Sequence, residues 1–336
     1  MARAFICGCA ALALSPEERA FIRESDPWGL ILFKRNVADR EQLRALAESF
    51  RAAVGRDDAP VLIDQEGGRV QRMGPPHWRA YPAASTFDAS LPPGEAEESA
   101  RLAARLIAHD LREAGITVDC APVLDVAEPG THAVIGSRAF SDRPERVAAL
   151  ARAYAGGLMA GGVAPVVKHI PGHGRARADS HLELPTVSAS REELRRDFAP
   201  FEALRDLPMA MTAHVVYPAL DPGQPATTSP LVVRDVMRGE IGFDGLIMSD
   251  DVSMKALGGP FEARTKAIFA AGLDMALHCN GDLAEAQAVA SETPELAGRA
   301  LERAQAALAA VRDPAPFDLA EAERRFAAIM TAVAAA

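Results

Sequence analysis

Four cysteines are all that this 336-residue chain contains. Their spacing offers little covalent or metal chemistry. Cys7 and Cys9 form a C-x-C, not the C-x-x-C of zinc and redox sites, and Cys120 and Cys279 stand far apart. All four read as small buried hydrophobes in a reducing compartment. A basic surplus is missing too. The formal net charge is −10, which argues against nonspecific nucleic-acid binding, since that needs a basic face. Small anions stay open as ligands, because local Arg and Lys override a net field. No apolar run reaches the ~18 residues of a membrane helix. No G-x-G-x-x-G follows the first apolar run, so a dinucleotide-binding fold lacks its fingerprint. Internal repeats and low-complexity linkers are absent as well.

What is present is ample core material, with 49% apolar residues. The first segment, MARAFICGCAALALS, imitates a short signal peptide. But Ser15-Pro16-Glu17-Glu18 reads as a helix start, with Ser15 as N-cap, Pro16 at N1 and Glu18 closing a capping box. The run before it then reads as a first buried strand, and the expected location is the cytoplasm. Eight candidate strands follow: Ala4–Cys9, Gly29–Phe33, Val61–Asp64, Thr117–Pro122, Val163–Lys168, Met209–His214, Gly245–Ser249 and Asp274–His278. Helical patterns lie between most of them, clearest over Glu95–Ala114, Pro144–Gly157 and Ser190–Leu204. Repeated strand–helix alternation predicts a parallel sheet, and eight units in about 280 residues suit a single-domain (β/α)8 TIM-type barrel spanning 1–336. A doubly wound sheet is the runner-up. From about residue 282 a helical, Ala/Glu/Arg-rich tail is expected to pack outside the barrel.

In such a barrel, chemistry sits where strands end. Asp64, Lys168-His169, His214 and Ser249-Asp250-Asp251 all stand at expected strand ends. In MSDDVSM, Asp250 follows a buried strand. A carboxylate there serves as nucleophile or base, or else both aspartates cap the next helix. Neighbours on extended chain point opposite ways, so only one of the two faces a pocket. KHIPGHGRARADSHLELP is a long connection in which Gly172 and Gly174 permit motion. Asp179 and His181, two residues apart, share a face on extended chain. An Asp beside a His fixes its tautomer and stabilises the imidazolium. A metal set of His169, His173, Asp179 and His181 competes, without any familiar zinc spacing. In VLIDQEGGRVQRM, Asp64 is able to accept two sugar hydroxyls while Arg69 and Arg72 donate. The alternative is a turn flanked by solvated charges. IGSRAF sets Arg138 in another loop. His77, His109, His132 and His278 read as packing or surface residues.

Taken together, DQEGGRVQRM, APVLDV, IGSRAF, KHIPGHG…DSHLELP, MTAHVVYP and GLIMSDDVSM resemble, in this order, glycoside hydrolase family 3, and more narrowly its cytoplasmic β-N-acetylglucosaminidases. The likeness runs from about residue 4 to about residue 281. It implies Asp250 as nucleophile, His181 as general acid/base oriented by Asp179, and Asp64, Arg72, Arg138, Lys168 and His169 as holders of N-acetylglucosamine. It also implies retaining cleavage of terminal β-linked N-acetylglucosamine from muropeptides, with no metal or other cofactor and no nucleic-acid or membrane partner. A monomer is expected. Phosphorolysis at the same site is one alternative, and a metal-dependent hydrolase built on His169, His173 and His181 is another. Arg175-Ala176 departs from the Asp-Thr common in the family, and Ile170 from its Phe; both bear on the aglycone side. The chain is short for the second domain that β-glucosidase-type members carry, which favours the single-barrel branch. Glu66, Asp125 and His173 have no assigned role.

Overall fold

Each apolar run of the sequence can bury both faces only if strands close on one another. A computed structural model describes residues 2–128, 134–176 and 184–335, the last four as helical backbone only. In it eight parallel strands form a closed barrel. They are β1 (Arg3–Cys7), β2 (Pro27–Leu32), β3 (Val61–Ile63), β4 (Val118–Asp119), β5 (Ala164–Ile170), β6 (Met209–Thr212), β7 (Leu246–Asp251) and β8 (Met275–His278). Neighbours in sequence are neighbours in the barrel, and β8 pairs with β1 to close it. All eight lie within a few residues of the sequence expectation.

Alternation decides which side chains fill the barrel. Ala4, Ile6, Val166 and Leu246 point inward, while Phe5, Cys7, Val167 and Ile247 pack outward against helices. Four methionines, Met209, Met211, Met248 and Met275, join the inner cluster. Their flexible thioethers suit an irregular interior.

The surrounding helices are α1 (Pro16–Ser25), α2 (Arg40–Val54), a short α3 (Ser85–Ser90), α4 (Glu95–Glu113), α5 (Pro144–Ala160), α6 (Arg191–Ala203), a π-helical stretch at Val232–Glu240, α7 (Phe261–Ala271) and α8 (Leu283–Ser291). The expected Ser15–Glu18 capping box starts α1. Close approach of α4 and α5 depends on Gly157, where a Cβ would stand 2.3 Å from the Arg101 carbonyl oxygen.

The tail divides, contrary to the expectation that all of it packs outside. α9 (Gly298–Ala309) lies across the N-terminal end of the barrel, and its Ala304 and Ala307 belong to the interior cluster. Arg303 clamps it there, reaching Asp244 at 2.7 Å and Asp274 at 3.0 Å, just before β7 and β8. α10 (Leu319–Ala335) does run along the outside, joined to α4 through Arg325–Glu98 at 3.1 Å. With one end plugged, the C-terminal mouth is the face left for a ligand. Among the described residues no helix is long and apolar enough to cross a membrane.

Candidate active site

Directly after β3 the chain makes a tight hairpin, Gln65–Gly67 against Val70–Gln71. Gln65 holds it closed: its Oε1 accepts from the backbone N–H groups of Arg72 and Met73, each at 3.0 Å. The fold-back returns Arg72 to Asp64, where Nη2 donates to Oδ2 at 2.9 Å. The Arg72 guanidinium also lies 5.1 Å from the centre of the Phe33 ring, a cation–π contact. The other Asp64 oxygen accepts from Lys168 Nζ at 2.7 Å. Lys168 reaches Glu66 Oε1 at 2.7 Å as well, and Glu66 takes both prongs of Arg138 at 2.8 Å. Charges therefore alternate along a chain, Arg72–Asp64–Lys168–Glu66–Arg138.

This chain settles the ionisation of its members. Burial pushes the Asp64 carboxyl up, but Lys168 and Arg72 outweigh it and hold Asp64 well below the usual carboxylate range. Burial acts on Glu66 in the same way, and Arg138 and Lys168 bring it down to about 2. Lys168 is only 2% exposed, and desolvation pulls its pKa down. Asp64 and Glu66 reverse that and keep it charged. At the end of β4, Asp119 forms no ion pair among the described residues. Burial raises it to about 8.

Strand β5 delivers the next two groups. A register shift against β6 between Lys168 and Ile170 interrupts the alternation, and chain neighbours Lys168 and His169 both line one cavity. His169 Nδ1 lies 2.7 Å from Asp125 Oδ2. Asp125 Oδ1 accepts the backbone N–H of His169 at 3.2 Å and of His173 at 2.7 Å. Beyond β5 the chain stays pinned as far as Ala176. Tyr217 donates to the Gly172 carbonyl at 2.7 Å, and Arg175 pairs with Asp197 at 2.6 Å and Glu128 at 3.2 Å.

Asp250 and Asp251 end β7, at a second register shift, between Met248 and Asp251. Both oxygens of the Asp251 carboxylate accept hydrogen bonds from Ser253 and Cys279. Its Oδ1 accepts from Ser253 N at 2.9 Å and Cys279 N at 3.0 Å, and its Oδ2 from Ser253 Oγ at 2.5 Å. Both aspartates line the cavity, and Asp250 Oδ1 accepts the Asp251 N–H at 2.8 Å. His214, at the mouth beyond β6, links Thr227 at 2.7 Å to the Asp251 carbonyl at 3.0 Å, and burial lowers the pKa of its ring.

Asp64, Arg72, Arg138, Lys168, His169 and Asp250 thus surround one cavity of about 270 Å³ at the C-terminal mouth. Asp179, His181 and His132 lie outside the described residues. Among the described residues no three His, Cys, Asp or Glu side chains gather as a metal site. Instead the His169 and His173 rings meet edge to face at 5.6 Å. Glu66, Asp125 and Phe33 are the site residues without a role in the sequence reading. Glu66 and Asp125 do stand in the motifs DQEGG and APVLDV, but their partners, Lys168 and Arg138 for one and the His169–His173 stretch for the other, come from distant parts of the chain, which a linear pattern does not pair.

Comparison with known proteins agrees with this architecture. The family model "Glycosyl hydrolase family 3 N terminal domain" matches residues 8–311. A β-hexosaminidase of Pseudomonas aeruginosa is 42% identical over 271 residues, covering 80% of this chain and 79% of its own. One of Methylococcus capsulatus is 43% identical over 272 residues, covering 80% of each. The crystal structure of NagZ from Neisseria gonorrhoeae in complex with N-trifluoroacetyl-D-glucosamine superposes with a TM-score of 0.84 at 32% identity, over 99% of this chain and 96% of that one. The chain belongs to glycosyl hydrolase family 3, among the members that are β-hexosaminidases.

Proposed function

We propose that the protein is a retaining exo-β-N-acetylglucosaminidase that removes terminal N-acetylglucosamine from muropeptides in the cytoplasm. One observation carries the reading. Two adjacent aspartates line the cavity at the barrel mouth with Asp64, Arg72, Arg138, Lys168 and His169; Asp251 has its carboxylate engaged by Ser253 and the Cys279 N–H, which makes Asp250 the candidate for chemistry. The cavity is near the small end of the ~300–1,000 Å³ common for ligand pockets, which suits one sugar ring and hence cleavage from a chain end. The solved relative bound to a glucosamine derivative supports the sugar class. Four buried thiols suit a reducing compartment.

In this reading Asp64 accepts sugar hydroxyls through lone pairs its two cations leave free, while Arg72, Arg138 and Lys168 donate. An Asp250 oxygen attacks the anomeric carbon as the glycosidic C–O bond breaks. The departing oxygen keeps the bond pair and takes a proton from His181, which Asp179 orients. Water then gives a proton to His181, its oxygen bonds to the anomeric carbon, and the Asp250 ester is released with net retention. Phosphate in place of water would give a sugar phosphate by the same route, and product analysis in phosphate buffer separates the two.

The test is mass spectrometry of the enzyme trapped with a 2-acetamido-5-fluoro glycosyl donor. The adduct is expected on the peptide holding Asp250. An adduct mapped elsewhere, or an initial α-anomer by NMR, would overturn the assignment.

A further inference from the structure

His169 lines the cavity, and the hydrogen-bonding polarity of its ring depends on where a proton sits. We infer that Asp125 is a positioning residue that fixes the His169 tautomer, placing the proton on Nδ1 and turning Nε2 to the cavity as the atom that reads a sugar hydroxyl. The inference rests on the reading that His169 contacts the sugar.

Three observations converge on it. Asp125 is fully buried, 0% exposed, so its carboxylate has no water to satisfy it. It is satisfied by one short stretch of chain: Oδ2 faces His169 Nδ1 at 2.7 Å, and Oδ1 takes the His169 and His173 backbone N–H groups at 3.2 and 2.7 Å. The two N–H groups leave Oδ1 no freedom to turn away, so Oδ2 is held against the imidazole. Asp125 is also ionised at neutral pH. Burial works against that, but His169 and the hydrogen bonds from His169 and His173 bring it to about 2. A carboxylate accepts and cannot donate, so the nitrogen facing it must carry the hydrogen. Finally, the His173 ring closes on His169 edge to face at 5.6 Å, and burial, with His169 nearby, lowers His173 to about 4. His173 therefore packs as a neutral ring that limits rotation of its neighbour. That gives the histidine without an assigned role a task in support of His169.

The decisive variant is Asp125→Asn. Its Oδ1 can keep both backbone N–H groups, so the local fold has its acceptor. Its amide nitrogen would replace Oδ2 and donate to Nδ1, forcing the proton to Nε2. The atom facing the sugar would change from acceptor to donor. ¹⁵N NMR of histidine-labelled protein reads the tautomer directly, and titration with N-acetylglucosamine reads affinity. The wild type is expected to show His169 protonated at Nδ1. Asp125→Asn is expected to show it at Nε2, with affinity for N-acetylglucosamine lower by ~10–100-fold, the scale typical of a carboxylate supporting a working histidine. KM should rise by more than kcat falls.

Three results would overturn the inference: a wild-type His169 protonated at Nε2 with Nδ1 bare, a variant that keeps the Nδ1 proton, or a switched tautomer with unchanged sugar affinity. If Asp125→Asn does not fold, the wild-type spectrum decides alone. Failure of the underlying site reading is separable, because there His169→Ala would bind N-acetylglucosamine as well as the wild type whatever the tautomer.

Discussion

Asp250 and Asp251 have the same side chain and adjacent positions but different surroundings. Alternation in the sequence predicts that only one faces the pocket, yet both line it, at a register shift that interrupts the alternation. What separates them is Ser253 and Cys279, whose N–H groups capture Asp251, and neither contact is legible in MSDDVSM. The pair therefore makes a matched prediction. Asp250→Asn should lower kcat by at least ~10³-fold with little change in melting temperature, because it would remove the proposed nucleophile and leave the contacts of Asp251 in place. Asp251→Asn should cost about 1–3 kcal/mol of stability, the scale for disturbing buried polar groups that lose a partner. Activity assays and urea unfolding of both variants test this, and the reverse ranking would exchange their roles. Glu66 is a second residue whose work depends on remote partners. Glu66→Gln keeps the shape but leaves Lys168 and Arg138 with one anion fewer between them. KM is expected to rise ~10-fold or more, since two cations that line the cavity lose their anchor. A KM unchanged in steady-state kinetics would show that Asp64 alone positions Lys168.

At the scale of elements, apolar runs were enough to mark all eight strands, because a barrel strand is buried on both faces and reads as continuous hydrophobicity. The Gln65–Gln71 hairpin escaped that logic. It is short and polar, and it is held by one glutamine side chain rather than by a pattern. The segment after β5 shows the limit of reading glycine as mobility. At Gly174 a Cβ would stand 1.9 Å from the Val126 carbonyl oxygen, so there glycine serves close packing of the backbone onto the Asp125–Val126 stretch. Gly174→Ala is predicted to displace the segment that follows His169. Turnover of an aryl β-N-acetylglucosaminide should fall ~10²-fold, since misplacement by about 1 Å is enough for that. The global melting temperature should change by only a few degrees, because this position follows the end of β5 at Ile170 rather than lying within a barrel strand. Stability and activity falling in parallel would instead make Gly174 a folding residue.

For the whole molecule, α9 illustrates what periodicity does not tell. An amphipathic helix announces an apolar stripe, but not whether it will cover the outside of a barrel or plug its end. Small residues at Ala304 and Ala307 fit the narrow opening, and Arg303 fastens it. With that end sealed, polar groups concentrate at the other, and the pH response of the fold follows from their opposing shifts. Asp64, Glu66 and Asp125 are all lowered in the folded protein. Their stabilisation is present above ~pH 4–5 and is lost as pH falls toward ~2. His173, lowered to about 4, acts in the same direction. Its contribution is present above ~pH 6.5 and fades as pH falls through about 4. Asp119 runs the other way. Its folded value of about 8 lies above the ~3.9 of a free aspartate, so the folded state binds a proton that the unfolded state has released. Stability from this site is greatest below ~pH 4 and declines as pH rises toward ~8. Asp119→Asn removes the ionisation and retains an acceptor for the Gln65 N–H, which Asp119 Oδ1 takes at 3.0 Å. The variant's stability relative to wild type should therefore climb steadily from ~pH 5 to ~pH 8 and level off above that. Urea unfolding at a series of pH values measures it. A difference between the two proteins that does not change over that range would mean that Asp119 is ionised in the folded barrel, balanced by Lys168 in the same way as its neighbours Asp64 and Glu66.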